Sequence, residues 1–228
     1  MIFFKDFIYL FFPELCLTCN EALNKNEKYL CVNCLHDLPL ANYTNIAKNE
    51  VEQSFFGRIS IIAATALLLY HKKSKVQQLI YQLKYKNQQK IGLFLGNWLG
   101  AEMASSKRFK NIDYVIPVPL HKKKLKSRGY NQVENFGKSL ANHLQAKYIN
   151  DILIKITATQ SQTKKHRTER FKNVNEIFYL TDLHFFNNKH VLLVDDIITT
   201  GATLEACCLE LQKTEAIKIS IATMAFTI

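Results

Sequence analysis

Val191-Leu192-Leu193-Val194-Asp195-Asp196-Ile197-Ile198-Thr199-Thr200-Gly201-Ala202-Thr203 is the stretch from which the fold can be read. Its four leading apolar residues have the pattern of a strand buried on both faces of a parallel sheet. Two carboxylates stand where that strand is expected to end, and a small, hydroxyl-rich turn follows. Leu204, Cys207, Cys208 and Leu211 then recur on one face of a helix. Backbone N–H groups of such a turn and of the helix start suit a phosphate. The carboxylates suit sugar hydroxyls or a phosphate-bound Mg²⁺. An apolar run ending in two acids also describes an ordinary strand end, but that reading asks nothing of the residues after the acids.

The 228 residues allow one ordinary domain with a small appendage, and 48% hydrophobic content excludes a disordered chain. A formal charge of +11 and a pI near 9.3 fit nucleotides, pyrophosphate, nucleic acid or an anionic membrane surface, or solubility alone. Met1 to Phe12 is apolar and aromatic, broken by Lys5 and Asp6 and stopped by Pro13. It is shorter than the ~20 residues that span a bilayer, and it has no basic leader or small-residue cleavage site. A short packing helix is expected there, with peripheral membrane contact as the alternative, in a cytoplasmic protein.

Cys16-x-x-Cys19 and Cys31-x-x-Cys34 are two knuckles with eleven residues between them. Four thiolates so spaced complete a tetrahedral site, which reads as structural Zn²⁺ rather than disulfides or a lone redox pair. Residues 1–41 are therefore expected to form a small zinc-binding domain, 42–57 a polar linker, and 58–228 the main domain. Within the main domain, strand is expected in 59–70 and helices over 75–85 and 91–103. Lysines on these helices read as a solvated face. Ile112 to Pro119 is a strand ended by prolines, and five of the eight residues from His121 to Arg128 are Lys or Arg. A basic loop after a parallel strand lies where ligands bind in doubly wound sheets. Gly137-Lys138-Ser139 is not a P-loop, because that motif needs glycine at position 132, which is Gln132. Strands are expected at 151–156, 176–180, 189–195 and 217–226. The basic stretch 157–173 has no apolar period and is expected to move. The alternation implies an α/β parallel sheet flanked by helices.

The stretch Val191–Thr203 closely resembles the phosphoribosyl-pyrophosphate (PRPP) signature of type I phosphoribosyltransferases. The paired knuckles, the 70–85 block, Pro117-Val-Pro-Leu120, Arg128-Gly-Tyr-Asn-Gln132 and the spacing Gln162…Arg170…Asn173…Phe178 extend the likeness. Together these blocks resemble the ComF family, phosphoribosyltransferase-like proteins linked to natural competence. His121 to Lys126 departs from it in being rich in Lys, which lacks the bidentate fork of Arg. The resemblance implies PRPP with Mg²⁺ as ligand. Thr199, Thr200, Gly201, Ala202 and Thr203 would hold its 5′-phosphate, and Asp195 and Asp196 would contact the ribose and stabilise an oxocarbenium-like transition state. His121, Lys122 and Arg128, with Lys164, Lys165 or Arg167, would neutralise pyrophosphate. Two functions follow: phosphoribosyl transfer to a nucleobase-type acceptor, or a PRPP- or nucleotide-binding module for single-stranded DNA during uptake. In the second, Tyr85, Tyr130 or Phe171 would stack on bases, the knuckles would touch DNA or protein, and other DNA-uptake proteins would be partners.

Overall fold

The computed structural model describes residues 11–157 and 176–228. Five strands make one parallel sheet: β1 (Ala63–Tyr70), β2 (Tyr114–Pro117), β3 (Lys147–Tyr148), β6 (His190–Ile198) and β7 (Lys218–Thr227), in the order β1-β7-β6-β2-β3. The stretch that opens the sequence reading is thus the central strand. Its side chains alternate between two cores, as a strand's must. Leu192 and Val194 join the cluster under one set of helices, Val191 and Leu193 the other.

On the first face lie α3 (Lys75–Tyr85), α4 (Lys90–Ser105) and α6 (Glu134–Leu144). Helix α3 is capped by Ser74, whose hydroxyl accepts from Gln77 N–H, and buries Val76, Leu79, Ile80 and Leu83 at helical spacing. Helices α4 and α6 approach closely at Gly96, where a Cβ would lie 2.8 Å from the Phe136 carbonyl oxygen. The cysteine knuckles, with α1 (Val32–His36), share this same apolar cluster through Cys16, Leu17, Leu23, Leu30 and Cys34.

The second face carries α7 (Ala202–Leu211) and a separate antiparallel pair, β4 (Leu153–Thr157) with β5 (Glu176–Leu180). By sequence alternation alone these two strands belong to the parallel α/β pattern, and the structure separates them from it. Parallel neighbours need a long crossover, usually a helix, and the sequence between β4 and β5 has no helical apolar period. The pair therefore forms its own small sheet, covering α7.

Residues 42–57, read as a linker, are built into the body. They carry α2 (Glu50–Gln53), and Val51 and Phe55 are fully buried on the second face. The polar composition misled because Asn49 is a buried cap rather than a solvated residue. Its Oδ1 accepts from Glu52 N–H, and its Nδ2 reaches the carbonyls of Tyr43, Ile46 and Ala64. Among the described residues, no helix is long and apolar enough to cross a membrane.

Candidate functional site at the carboxyl end of the sheet

Strand β6 runs past its acids. On the β7 side its pairing continues to Ile198, opposite Phe226, but on the β2 side the last pair is Val194 with Pro117. Val118 N–H adds one bond to the Val194 carbonyl at 2.8 Å. Pro119 then has no N–H to give, and β2 leaves the sheet. Asp195 and Asp196 sit where the strands part. The helix after β6 returns on one face toward β7, and the helix after β2 returns on the other toward β3. That divergence is a topological switch point, the place where open α/β sheets bind ligands.

The acids face different ways. Asp195 lines a cavity of about 40 Å³ together with Ile197 to Leu204, including all five residues Thr199, Thr200, Gly201, Ala202 and Thr203. That is roughly three times the ~10–15 Å³ one water needs, room for a phosphate-sized group. Gly201 has φ +76°, and a Cβ there would meet the Phe55 ring at 2.9 Å. Thr200 Oγ1 accepts from Ala202 N–H at 3.4 Å. Arg58 ties the turn from outside, donating to the Thr200 carbonyl (3.2 Å), the Ser54 carbonyl (2.9 Å) and Glu205 in the first turn of α7. Burial, then the neighbouring Asp196 carboxylate, push the Asp195 carboxyl well above the usual range, to about 8. One of its oxygens accepts from Asp196 N–H at 2.8 Å, an edge donor left behind when β2 departs.

Asp196 is buried at 3% exposure and both of its oxygens are taken. Lys84 Nζ, from the last turn of α3, lies 2.9 Å from Oδ1. Gln132 Nε2 donates to Oδ2 at 2.6 Å. Gln132 Oε1 in turn accepts from Arg128. By helical spacing alone Lys84 belongs to a solvated face, and no role attaches to Gln132 from the sequence alone. Arg58 and Phe55 fell in or beside the presumed linker. Nothing in the local pattern marked any of the four, since each reaches the site through tertiary packing.

The basic stretch is a helix rather than a loop: α5, Lys122–Arg128, capped by the His121 ring and ended by Gly129 at φ +81°. Lysine is a good helix former, and no apolar face is needed because α5 buries no residue. His121 and Lys122 start it and Arg128 ends it, ~9 Å apart along the axis. Arg128 is linked through Gln132 to Asp196, with its guanidinium also 5.5 Å from the Tyr85 ring centre. Lys164, Lys165 and Arg167 lie outside the described residues, as does Phe171. Tyr130 is buried and donates its hydroxyl to the Leu83 carbonyl, so it offers no stacking face.

The four knuckle cysteines are free thiols with sulfurs all within 4.8 Å of one another. Cys19 and Cys31 sulfurs are 3.7 Å apart, too far for a disulfide. Tetrahedral zinc thiolate with ~2.3 Å bonds would put sulfurs about 3.8 Å apart, so the cluster fits a metal of that kind. Sulfur also accepts from backbone: Cys31 N–H to Cys16 and Cys34 N–H to Cys31. A larger groove of about 1160 Å³ lies beyond Phe55 and Arg58, among Ile61, Gln212 and Ile219. Its one carboxylate, Glu52, is paired with Arg108, so size and chemistry point to different places, and chemistry decides.

The phosphoribosyl transferase domain family matches residues 134–227. Competence protein F of Haemophilus influenzae is 26% identical over 210 residues, 85% of this chain and 89% of its own. Competence protein ComFC of Bacillus subtilis is 26% identical over 220 residues, 92% of this chain and 83% of its own. Among solved structures, adenine phosphoribosyltransferase from Leishmania tarentolae aligns at 11% identity and a TM-score of 0.40, over 70% of this chain and 90% of that one. Similarity to the competence proteins covers nearly the whole chain rather than the sheet alone, and the knuckle cluster beside a phosphoribosyltransferase-like sheet supports identifying the chain as similar to the ComF-type proteins.

Proposed function

We propose that the crevice binds PRPP with Mg²⁺ and transfers its phosphoribosyl group to a nucleobase-type acceptor, in the service of DNA uptake. The observation that carries this is one shared cavity for Asp195 and Thr199–Thr203 at a switch point of the sheet. The turn would hold the 5′-phosphate through backbone N–H groups and threonine hydroxyls. Asp195 would sit against the ribose and offset positive charge as the C1′–O bond breaks. The electron pair of that bond leaves with pyrophosphate, and the acceptor nitrogen bonds to C1′ and gives up its proton. Arg128, with His121, Lys122 and the basic residues Lys164, Lys165 and Arg167, would neutralise the leaving group. Mg²⁺ would supply charge compensation for the diphosphate. With Asp196 fully bonded and Asp195 half bonded, the protein offers that ion little, which suits one held by ligand oxygens and water. Cys16, Cys19, Cys31 and Cys34 would hold Zn²⁺ as a structural centre. The competence role rests on the names of the related proteins, and a cytoplasmic location with peripheral membrane contact is part of the same proposal.

Calorimetry with PRPP and Mg²⁺, then base-dependent pyrophosphate release, tests the assignment. A protein whose melting PRPP does not shift lacks this ligand.

A second reading has its own observation. Tyr81 and Tyr85 form an exposed ring pair with centres 5.1 Å apart, and the Arg128 guanidinium at the end of the basic helix α5 lies 5.5 Å from the Tyr85 ring centre. Such a surface suits single-stranded DNA. Salt-sensitive DNA binding that Tyr85→Ala weakens, with no turnover on any base, would favour the binding module.

A further inference from the structure

The two adjacent acids have been assigned one shared role, yet their surroundings differ. Asp195 faces the phosphate turn. Asp196 is turned into the opposite core, with both oxygens engaged by Lys84 and Gln132. From Gln132 the contacts continue to Arg128 at the end of α5.

That helix is held in an unusual way. None of its residues is buried, and the side-chain contacts at its end are those of Arg128, with Gln132 and over the Tyr85 ring. It hangs from residues 129–132, which are fixed at three points. Tyr130 hydroxyl bonds the Leu83 carbonyl, Asn131 Nδ2 bonds the Val118 carbonyl at 3.1 Å, and Gln132 bonds Asp196. The last of these fixes the guanidinium of Arg128 as well, because Gln132 spends its nitrogen on the acid and its oxygen on the arginine. An amide used at both ends is oriented by the charged groups it joins.

We propose that Asp196 is a positioning residue: acting through Gln132, it aims Arg128 and the basic helix at the diphosphate end of the ligand, while Asp195 alone serves the ribose. The inference rests on the PRPP reading of the crevice and assigns its two halves to different acids. It makes the diphosphate arm dependent on a carboxylate that touches no part of the ligand.

Titration calorimetry on the full-length protein separates the roles, using PRPP with Mg²⁺ and ribose 5-phosphate, which has the same sugar and phosphate but no diphosphate. Asp195→Asn should weaken both ligands by similar factors. Asp196→Asn should weaken PRPP at least tenfold more than ribose 5-phosphate. Gln132→Met, which leaves both acids in place, should give the same selective loss, and the double variant should be no worse than either single one. Equal losses for both ligands in Asp196→Asn, or full PRPP affinity in Gln132→Met, would overturn the proposal. Should Asp196→Asn fail to fold, Gln132→Met decides alone. Wild-type protein that binds neither ligand would instead sink the PRPP reading itself.

Discussion

Gly201→Ala tests whether the turn at residues 199–203 is shaped by its fit to Phe55. At φ +76° an L-residue costs about 1–2 kcal/mol. The added methyl would also stand 2.9 Å from Phe55 Cε1 and 3.2 Å from Cζ, where carbon contacts prefer ~3.5–4.0 Å. Phe55 is fully buried, so relief requires a shift of the ring or of the turn, an overpacking cost of about 1–3 kcal/mol. The sum is about 2–5 kcal/mol. At ~2–4 °C per kcal/mol for a chain of this size, melting should fall by ~4–20 °C. If the turn moves instead of the ring, the cost appears as lost PRPP affinity. Urea unfolding measures the first and calorimetry the second. Phe55→Leu in the same chain should recover the clash but not the dihedral cost. A Gly201→Ala protein within 0.5 kcal/mol of wild type, with unchanged affinity, would refute the reasoning.

The raised Asp195 carboxyl means the folded chain holds a proton that the unfolded chain releases near pH 4. Ligand-free stability should therefore fall as pH rises from about 4 to about 8, then level off; Asp195→Asn should flatten that curve in urea titrations while removing PRPP binding. Below pH 8, binding of Mg²⁺ with PRPP should release a proton, seen as a dependence of the apparent enthalpy on the buffer. Asn49→Ala should cost about 2–4 kcal/mol, because it strips one cap and three carbonyl bonds from a buried site. Chelation at neutral pH, or Cys19→Ser, should lower the melting temperature and release about one equivalent of zinc; protein that purifies without zinc and melts unchanged would count against the centre.

How much of this was legible depends on how local each signal is. The helix 75–85 and the central strand were readable because apolar spacing is a local property. The Asp195-to-Thr203 cradle was readable for the same reason, since one strand, one turn and one helix start build it. Lys84, Gln132 and Arg58 were not. Each lies far along the chain from the residue it touches, and a lysine on an amphipathic helix looks the same whether it meets water or Asp196. The 42–57 segment was misread because composition cannot tell a polar linker from a buried asparagine that bonds three carbonyls. The pair β4–β5 shows the reverse case: the strands are visible in the sequence, but their antiparallel pairing with each other is a tertiary fact that strand periodicity does not carry.

The acids themselves show how a motif can outrun geometry. Neighbouring residues on a strand point to opposite faces, so two adjacent carboxylates reach one small ligand only where the strand bends or the ligand wraps its edge. Here each carboxylate has a different neighbourhood, and the neighbourhoods have opposite needs. An acid that is to face a ligand must keep an oxygen open, and at Asp195 burial and the neighbouring Asp196 charge then raise the proton affinity. An acid that anchors other elements must be saturated, and Asp196, with lysine and amide on its two oxygens, is. The acidic pair therefore has two separate neighbourhoods back to back, Asp195 in the cavity of the 199–203 turn and Asp196 in the contacts that lead through Gln132 to Arg128, which is the division of roles proposed above.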